Sequence, residues 1–298
     1  MTDADPPIHA AGPRRPEPGL HLVATPIGAA RDITLRALDI LAGADVLAAE
    51  DTRTLRHLME IHGIALGGRP LVAYHDHNGE TARPRLLAAL DAGKSVAYAS
   101  EAGTPLVADP GMKLARAVID AGHRVLAAPG PSAVLAALSV AGLPTDRFLF
   151  AGFPPAAAGA RASWMKELAA IPATLVIYDS PKRVSRLLGE LAHHLGRERD
   201  AAVCRELTKR FEEVTRGTLG DLAARFAGQA LRGEVVLVID RQGEIVADAA
   251  DVEAAVRAAL AVPGARVKDV AGDIATRFGL PRRDAYQLAL QVAERGGT

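Results

Sequence analysis

The chain of 298 residues has one cysteine, few aromatics (4%) and no surplus of either charge, with 35 Lys plus Arg against 35 Asp plus Glu. A single cysteine excludes an internal disulfide and any multi-cysteine metal site. Cys204 lies in the apolar run Ala201-Ala202-Val203-Cys204, where a buried small hydrophobe is expected rather than a catalytic thiol. Scarce aromatics beside abundant alanine point to a core of small and branched aliphatics. The zero net charge argues against a surface that binds nucleic acid everywhere and leaves room for a local basic patch. No apolar run is long enough to cross a bilayer. The first nineteen residues carry Pro6, Pro7, Pro13, Pro16 and Pro18 and no apolar stretch, so neither a signal peptide nor a membrane anchor is read there. Residues 1–19 are expected to form a disordered tail, and the protein is expected to be cytoplasmic. A G-x-G-x-x-G fingerprint is missing, which argues against a standard dinucleotide site. Leu90-Asp91-Ala92-Gly93-Lys94-Ser95 imitates the end of a P-loop, but Ala88 stands where the first glycine is required and a strand follows.

What is present is alternation. Short apolar runs at 20–24, 46–49, 71–74, 96–99 and 125–128 predict strands, separated by helical patterns at 34–42, 55–61, 81–91 and 112–121. Within the last, Leu114, Ala117, Val118 and Ala121 share one helical face, and Gly122 ends it. Such alternation predicts an α/β fold with a parallel sheet. A second block, 132–244, reads as mixed α+β. It has a helix at 134–141, strands at 148–150, 174–178, 201–205 and 235–239, and helices near 185–195 and 219–226; its strand order is not derivable. From 245 the pattern is helical. Val267, Val270, Ala271, Ile274 and Ala275 make one face, Phe278-Gly279-Leu280 interrupts it, and Pro281 opens a further helix. This is the outline of a helix-turn-helix or of a plain helical hairpin. Residues 257–298 hold seven basic and four acidic side chains.

In a parallel sheet the loops after the strands gather at one edge, where open α/β sheets bind ligands. Five such loops stand out. Two are glycine-rich, Ser100-Glu101-Ala102-Gly103-Thr104-Pro105 and Pro129-Gly130-Pro131-Ser132-Ala133, and would let backbone amides approach a ligand closely. The others are Thr25-Pro26-Ile27-Gly28, Glu50-Asp51-Thr52-Arg53 and His75-Asp76-His77-Asn78. Glu50, Asp51 and Arg53 could bind a hydroxyl or act as acid and base, although Asp51 or Thr52 capping the following helix explains part of the pattern. His75 and His77, two apart in a strand-like stretch, would share a face. No third ligand is identifiable, so no metal site is assigned and a substrate or subunit contact is preferred. In the second block, Arg205-Glu206-Leu207-Thr208-Lys209 and Arg232-Gly233-Glu234-Val235-Val236 put charges at strand ends, with surface ion pairs as the plain alternative.

As a set, these loops resemble the tetrapyrrole-methylase-like methyltransferases, together with Asp109-Pro110-Gly111 and Gly142-Leu143-Pro144. Order and spacing hold over about 20–240. The Glu-Asp-Thr-Arg and His-Asp-His-Asn loops and the helical tail are similar to the branch that methylates a cytidine ribose 2′-hydroxyl in small-subunit (16S) ribosomal RNA. The resemblance implies two α/β domains of the tetrapyrrole methylase type, 20–131 and 132–244, with the donor cleft between them. It also implies a helical RNA-docking domain over 245–298, S-adenosylmethionine as methyl donor, and a homodimer. By the same resemblance Thr25, Pro26, Glu101, Ala102, Gly103, Thr104, Ser132, Ala133, Tyr178, Gly233, Glu234 and Val235 would hold the donor. Glu50, Asp51 and Lys209 are candidates for the chemistry. Arg53, His75, His77, Asn78, Arg205, Arg282 and Arg283 are candidates for contacting RNA. Relatives typically carry Asp where this chain has Glu101, which keeps the charge and moves it by one methylene. A methylase of a small tetrapyrrole, or a donor-binding RNA-associated protein without catalysis, are the competing readings.

Overall fold

A computed structural model describes residues 15–75, 77–229, 231–241, 249–262, 265–278 and 280–296. Most of the expected tail, 1–14, and the predicted turn glycine Gly279 lie outside the described residues. The part of the tail that is described does not run loose. Arg15 pairs with Asp45 at 2.7 Å, and Glu17 pairs with Arg124 at 2.6 Å.

The first sheet contains β1 (Gly19–Val23), β2 (Val46–Ala49), β3 (Leu71–Ala73), β4 (Ser95–Ala99) and β5 (Val125–Ala128) in the order β3-β2-β4-β1-β5. All pairings are parallel, as the alternation predicts. The helices α1 (Leu35–Gly43), α2 (Thr52–Ile61), α3 (Gly79–Asp91) and α4 (Met112–Asp120) supply the crossovers. Strand periodicity divides the core in two. Val96 and Tyr98 of β4 pack with Leu86, Leu90, Leu114 and Val118, whereas Ala97 and Ala99 face Ile40, Leu41, Leu55 and Met59. Every residue of β4 is buried, as the central strand of a sheet covered on both faces must be.

The second sheet contains β6 (Phe148–Gly152), β7 (Thr174–Asp179), β8 (Asp200–Arg205), β9 (Glu213–Thr218) and β10 (Val235–Ile239), ordered β6-β7-β10-β8-β9. Only β6 and β7 are parallel. Helix α5 (Ala133–Ala141) covers one face through Val134, Ala137 and Leu138; α6 (Ala158–Ala169), α7 (Val184–Leu195) and α8 (Leu219–Arg225) cover the other. Cys204 is fully buried among Val176, Ala202 and Val236, and burial pushes its thiol up to about 11. The last unit has three helices rather than the expected two: α9 (Ala249–Leu260), α10 (Val267–Phe278) and α11 (Arg282–Gly296). They close on Val256, Ile274, Ala285 and Ala289.

Strand β9 and helices α6 and α9 escape the sequence patterns. β9 is a polar edge strand, Glu-Val-Thr-Arg-Gly-Thr, with little alternation. The buried face of α6 begins on Arg161, ahead of Met165 and Leu168, so its stripe starts with a charge. In α9 the buried residues Val252 and Val256 are diluted by alanine.

Candidate functional site

The carboxyl ends of the first sheet's strands face the second sheet across a cavity of about 610 Å³, within the usual range for small-molecule sites. Its floor is the loop after β4. Gly103 exchanges both backbone hydrogen bonds with Thr25, at 2.9 and 3.0 Å. The Ser100 hydroxyl donates to the Gly103 carbonyl at 2.6 Å, and the Thr104 hydroxyl donates to the Pro131 carbonyl at 2.9 Å. Gly103 has φ +81°, a conformation that favours glycine. These bonds join the loops after β1, β4 and β5 into one rigid cradle. Thr25 is therefore a strut, and neither it nor Pro26 lines the cavity; Ile27 does.

Beyond this loop the chain is backbone-strained. Leu106 and Ala108 adopt φ of 70° and 56°, conformations uncommon for residues with a Cβ. Asp109 holds them in place: its Oδ1 accepts from the Tyr98 hydroxyl at 2.8 Å and from the Gly111 amide at 2.9 Å. Burial, with the Asp109 charge beside it, pushes the Tyr98 hydroxyl far above the usual phenol range. A Cβ on Gly111 would strike the Tyr98 ring at 2.6 Å.

The facing wall comes from β7 and β10. Tyr178 lies opposite Val236, and its ring meets Phe150 and Phe153 edge-on, with centroids 4.7 and 5.6 Å away. Burial pushes its hydroxyl up to about 12. Gly233 has φ +84°, and a Cβ there would fall inside the Glu206 carboxylate. That carboxylate accepts from the Glu234 amide at 2.9 Å and from the Lys209 ammonium at 2.9 Å. The Glu234 amide first, then Lys209, lower the Glu206 pKa. Lys209 also reaches Glu234 at 3.0 Å. Burial pulls its ammonium down, and the two carboxylates outweigh that, so its pKa is raised.

Of the residues singled out in the sequence, the cavity brings together Glu50, Glu101, Ala102, Gly103, Thr104, Ser132, Ala133, Tyr178, Gly233, Glu234 and Val235. It does not include Asp51, whose carboxylate caps α2 by accepting from the Arg53 and Thr54 amides at 2.7 and 3.4 Å. The Arg53 guanidinium, 2.8 Å away, together with those amides, holds Asp51 at about 2. The cap is thus Asp51, not Thr52. Lys209 stands at the start of β10 in its two ion pairs, outside the lining, and Arg205 is tied to Glu213 across β8 and β9 at 2.8 Å. His75 and His77 fall past the end of β3, so strand alternation does not apply to them; their rings meet edge-on at 6.0 Å. Asn78 accepts from the His75 amide and donates to the Ala73 carbonyl, closing that turn. Asp76 is outside the described residues. Arg282 and Arg283 are exposed at the start of α11. Among the described residues no group of three His, Cys, Asp or Glu side chains could hold a metal ion, and no helix is long and apolar enough to cross a membrane.

Sequence reasoning misses Thr54, Val107, Ala108, Phe153, Asp179, Ser180 and Pro181 in the lining, and reaches Asp109 only as part of a motif. For Phe153 a signal existed: Gly152-Phe153-Pro154-Pro155 is an aromatic on a proline-stiffened turn in an aromatic-poor chain. Among the described residues the lining carries five carboxylates (Glu50, Glu101, Asp109, Asp179 and Glu234) and no Lys, Arg or His. Asp179 is matched by Arg183 at 2.6 Å and Glu234 by Lys209 at 3.0 Å; the excess of carboxylates in the lining favours a ligand with positive charge.

Residues 19–223, which carry the fold and this cleft, match the family model of the tetrapyrrole (corrin/porphyrin) methylases. The chain belongs to that family. Relatives similar to it over nearly their whole length are named ribosomal RNA small subunit methyltransferase I. The protein of that name from Mesorhizobium japonicum is 46% identical over 96% of both chains. Those of Mycobacterium tuberculosis and Escherichia coli O157:H7 are 42% and 39% identical over 93% and 91% of this chain, covering 96% and 94% of theirs. Among solved structures, a cobalt precorrin-4 methyltransferase of cobalamin biosynthesis superposes with TM-score 0.57 at 18% identity, over 74% of this chain and 94% of that one. A Thermus thermophilus uroporphyrin-III C-methyltransferase complexed with S-adenyl homocysteine superposes with TM-score 0.51 at 21% identity, over 74% and 96%. At these identities the structures speak for the fold alone.

Proposed function

We propose that the chain is an S-adenosylmethionine-dependent methyltransferase that methylates the ribose 2′-hydroxyl of a cytidine in small-subunit (16S) ribosomal RNA. The observation that carries this reading is a carboxylate-lined, glycine-backed cleft in a chain so similar to the ribosomal RNA small subunit methyltransferases I. The residues present fit the donor. Its sulfonium and amino groups are cationic, matching the carboxylates, and Gly103 and Gly233, both at positive φ, bring backbone to the cavity wall. When bound, the donor supplies a methyl group already activated on sulfur.

The protein's share is then alignment of two reactants and management of one proton. Glu101 to Thr104, Ser132, Ala133, Tyr178 and Gly233 to Val235 hold the donor, with Thr25 and Pro26 bracing the floor. Glu50 receives or polarises the ribose hydroxyl proton. Asp51 is spent on the helix cap and is set aside as a base. Lys209 acts through Glu206 and Glu234 by fixing the Gly233 edge, which makes it a positioning residue. Arg53, His75, His77 and Asn78 at the sheet edge, Arg205, and Arg282 and Arg283 on α11 contact the RNA. The helical unit from 245 onward docks it. A homodimer working in the cytoplasm completes the reading, and light scattering tests the dimer.

The test is transfer of labelled methyl from S-adenosylmethionine to small ribosomal subunits, with large subunits and a uroporphyrinogen-type tetrapyrrole as competing acceptors. Label confined to small-subunit RNA is expected. Label on the tetrapyrrole alone overturns the assignment.

A further inference from the structure

Phe153 is 55% exposed, yet its backbone turn is constrained on both sides. It follows Gly152 (φ +68°) and precedes Pro154 and Pro155, and the turn is pinned from behind by Arg161. The Arg161 side chain is 5% exposed and donates to the carbonyls of Pro155 and Ala156 at 3.1 and 2.9 Å. Its remaining nitrogens form a two-point pair with Glu190 at 2.6 and 2.8 Å. The Phe153 ring leans edge-on against Tyr178, which leaves it presented at the cavity rather than folded into the core. Exposing a large apolar ring on a fixed turn forgoes burial that would stabilise the fold. The other domain contributes Val107, 37% exposed, to the same lining. The enclosed part of the cavity, at Gly103 and Val235, suits a small ligand. The exposed rim suits one that arrives attached to a polymer.

We propose that Phe153 is the stacking platform for the acceptor nucleobase, holding the base beside the ribose that is methylated. A preorganised aromatic face is how proteins commonly hold single-stranded or extruded bases. The constrained turn limits the entropy lost on binding. The inference rests on the function proposed above and adds the residue that grips the acceptor. The donor also carries an adenine, so the test separates the two sources of a base.

Full-length wild type, Phe153→Ala, Phe153→Leu and Phe153→Trp are compared by KM for small subunits and by calorimetric affinity for S-adenosylhomocysteine. Phe153→Ala and Phe153→Leu are expected to raise the acceptor KM on the order of tenfold while affinity for S-adenosylhomocysteine holds. Phe153→Trp is expected to restore the acceptor KM, which an aliphatic of similar bulk does not. Loss of S-adenosylhomocysteine affinity with unmoved acceptor KM would assign the ring to the donor and overturn the inference. So would an unmoved KM in all variants, or rescue by leucine. A wild type that labels no RNA at all would remove the functional reading itself, and this inference with it.

Discussion

Glu50 and Asp51 are neighbours at the end of β2, and the backbone sends them to different tasks. Glu50 lines the cavity, while Asp51 closes the first turn of α2. Glu50→Gln keeps the shape and hydrogen-bonding reach and removes the proposed base, so kcat is expected to fall about a hundredfold or more, with affinity for S-adenosylhomocysteine unchanged by calorimetry. Asp51→Ala is expected instead to lower thermal stability. The sign with pH follows from its depressed pKa: the carboxylate's contribution is complete above about 4 and is lost as pH falls through about 2. The gap in melting temperature between wild type and Asp51→Ala should therefore be widest at neutral pH and close on acidification. A gap independent of pH would detach Asp51 from that role.

At the scale of elements, the two domains are joined by one loop seated in another. The turn after β1 rests on the turn after β8, where the Ala29 amide donates to the Thr208 hydroxyl at 3.1 Å. Gly28 makes this approach feasible, since a Cβ would stand 2.5 Å from Thr208 Oγ1 and 2.9 Å from the Leu207 carbonyl. Both Glu206 and Thr208 adopt positive φ to meet it, at 51° and 64°. Gly28→Ala is expected to cost about 1–3 kcal/mol by overpacking, read by denaturant unfolding. It should also weaken S-adenosylhomocysteine binding, because Ile27 beside it lines the cavity. The first sheet was legible in the sequence because its strands read as short apolar runs, buried throughout in β2 and β4; β2 and β5 fall where the pattern places them. The second domain was legible only in part. Strand β9 is a polar edge, and the face of α6 opens on a buried Arg161 whose partner, Glu190, is 29 residues away. The site was legible as loops, since glycine at a strand end has a local reason. It was not legible as a cavity: Phe153, Asp179 and Val107 join it only through the approach of two domains, which no local pattern encodes.

Across the whole molecule the charges balance in number and separate in place. Carboxylates line the cleft, and seven basic residues against four acidic ones lie in 257–298. On the proposed function a phosphate chain would be turned away from the carboxylate-lined cleft and offered contacts at Arg282 and Arg283, both exposed. Replacing both with alanine is expected to weaken binding to small subunits. It should flatten the dependence of log affinity on log salt by about 1 to 2, measured by filter binding across a salt series, while S-adenosylhomocysteine affinity stays the same. An unchanged slope would move RNA docking off α11. The bond that the protein forms can be read directly. Small subunits from cells lacking this activity are methylated by the purified protein with isotopically labelled S-adenosylmethionine, then digested to nucleosides and fragments for mass spectrometry. A single labelled cytidine with the methyl on its ribose is expected, absent with Glu50→Gln. A methyl on a base, or RNA left unlabelled by a protein that binds S-adenosylhomocysteine, would contradict the proposed function.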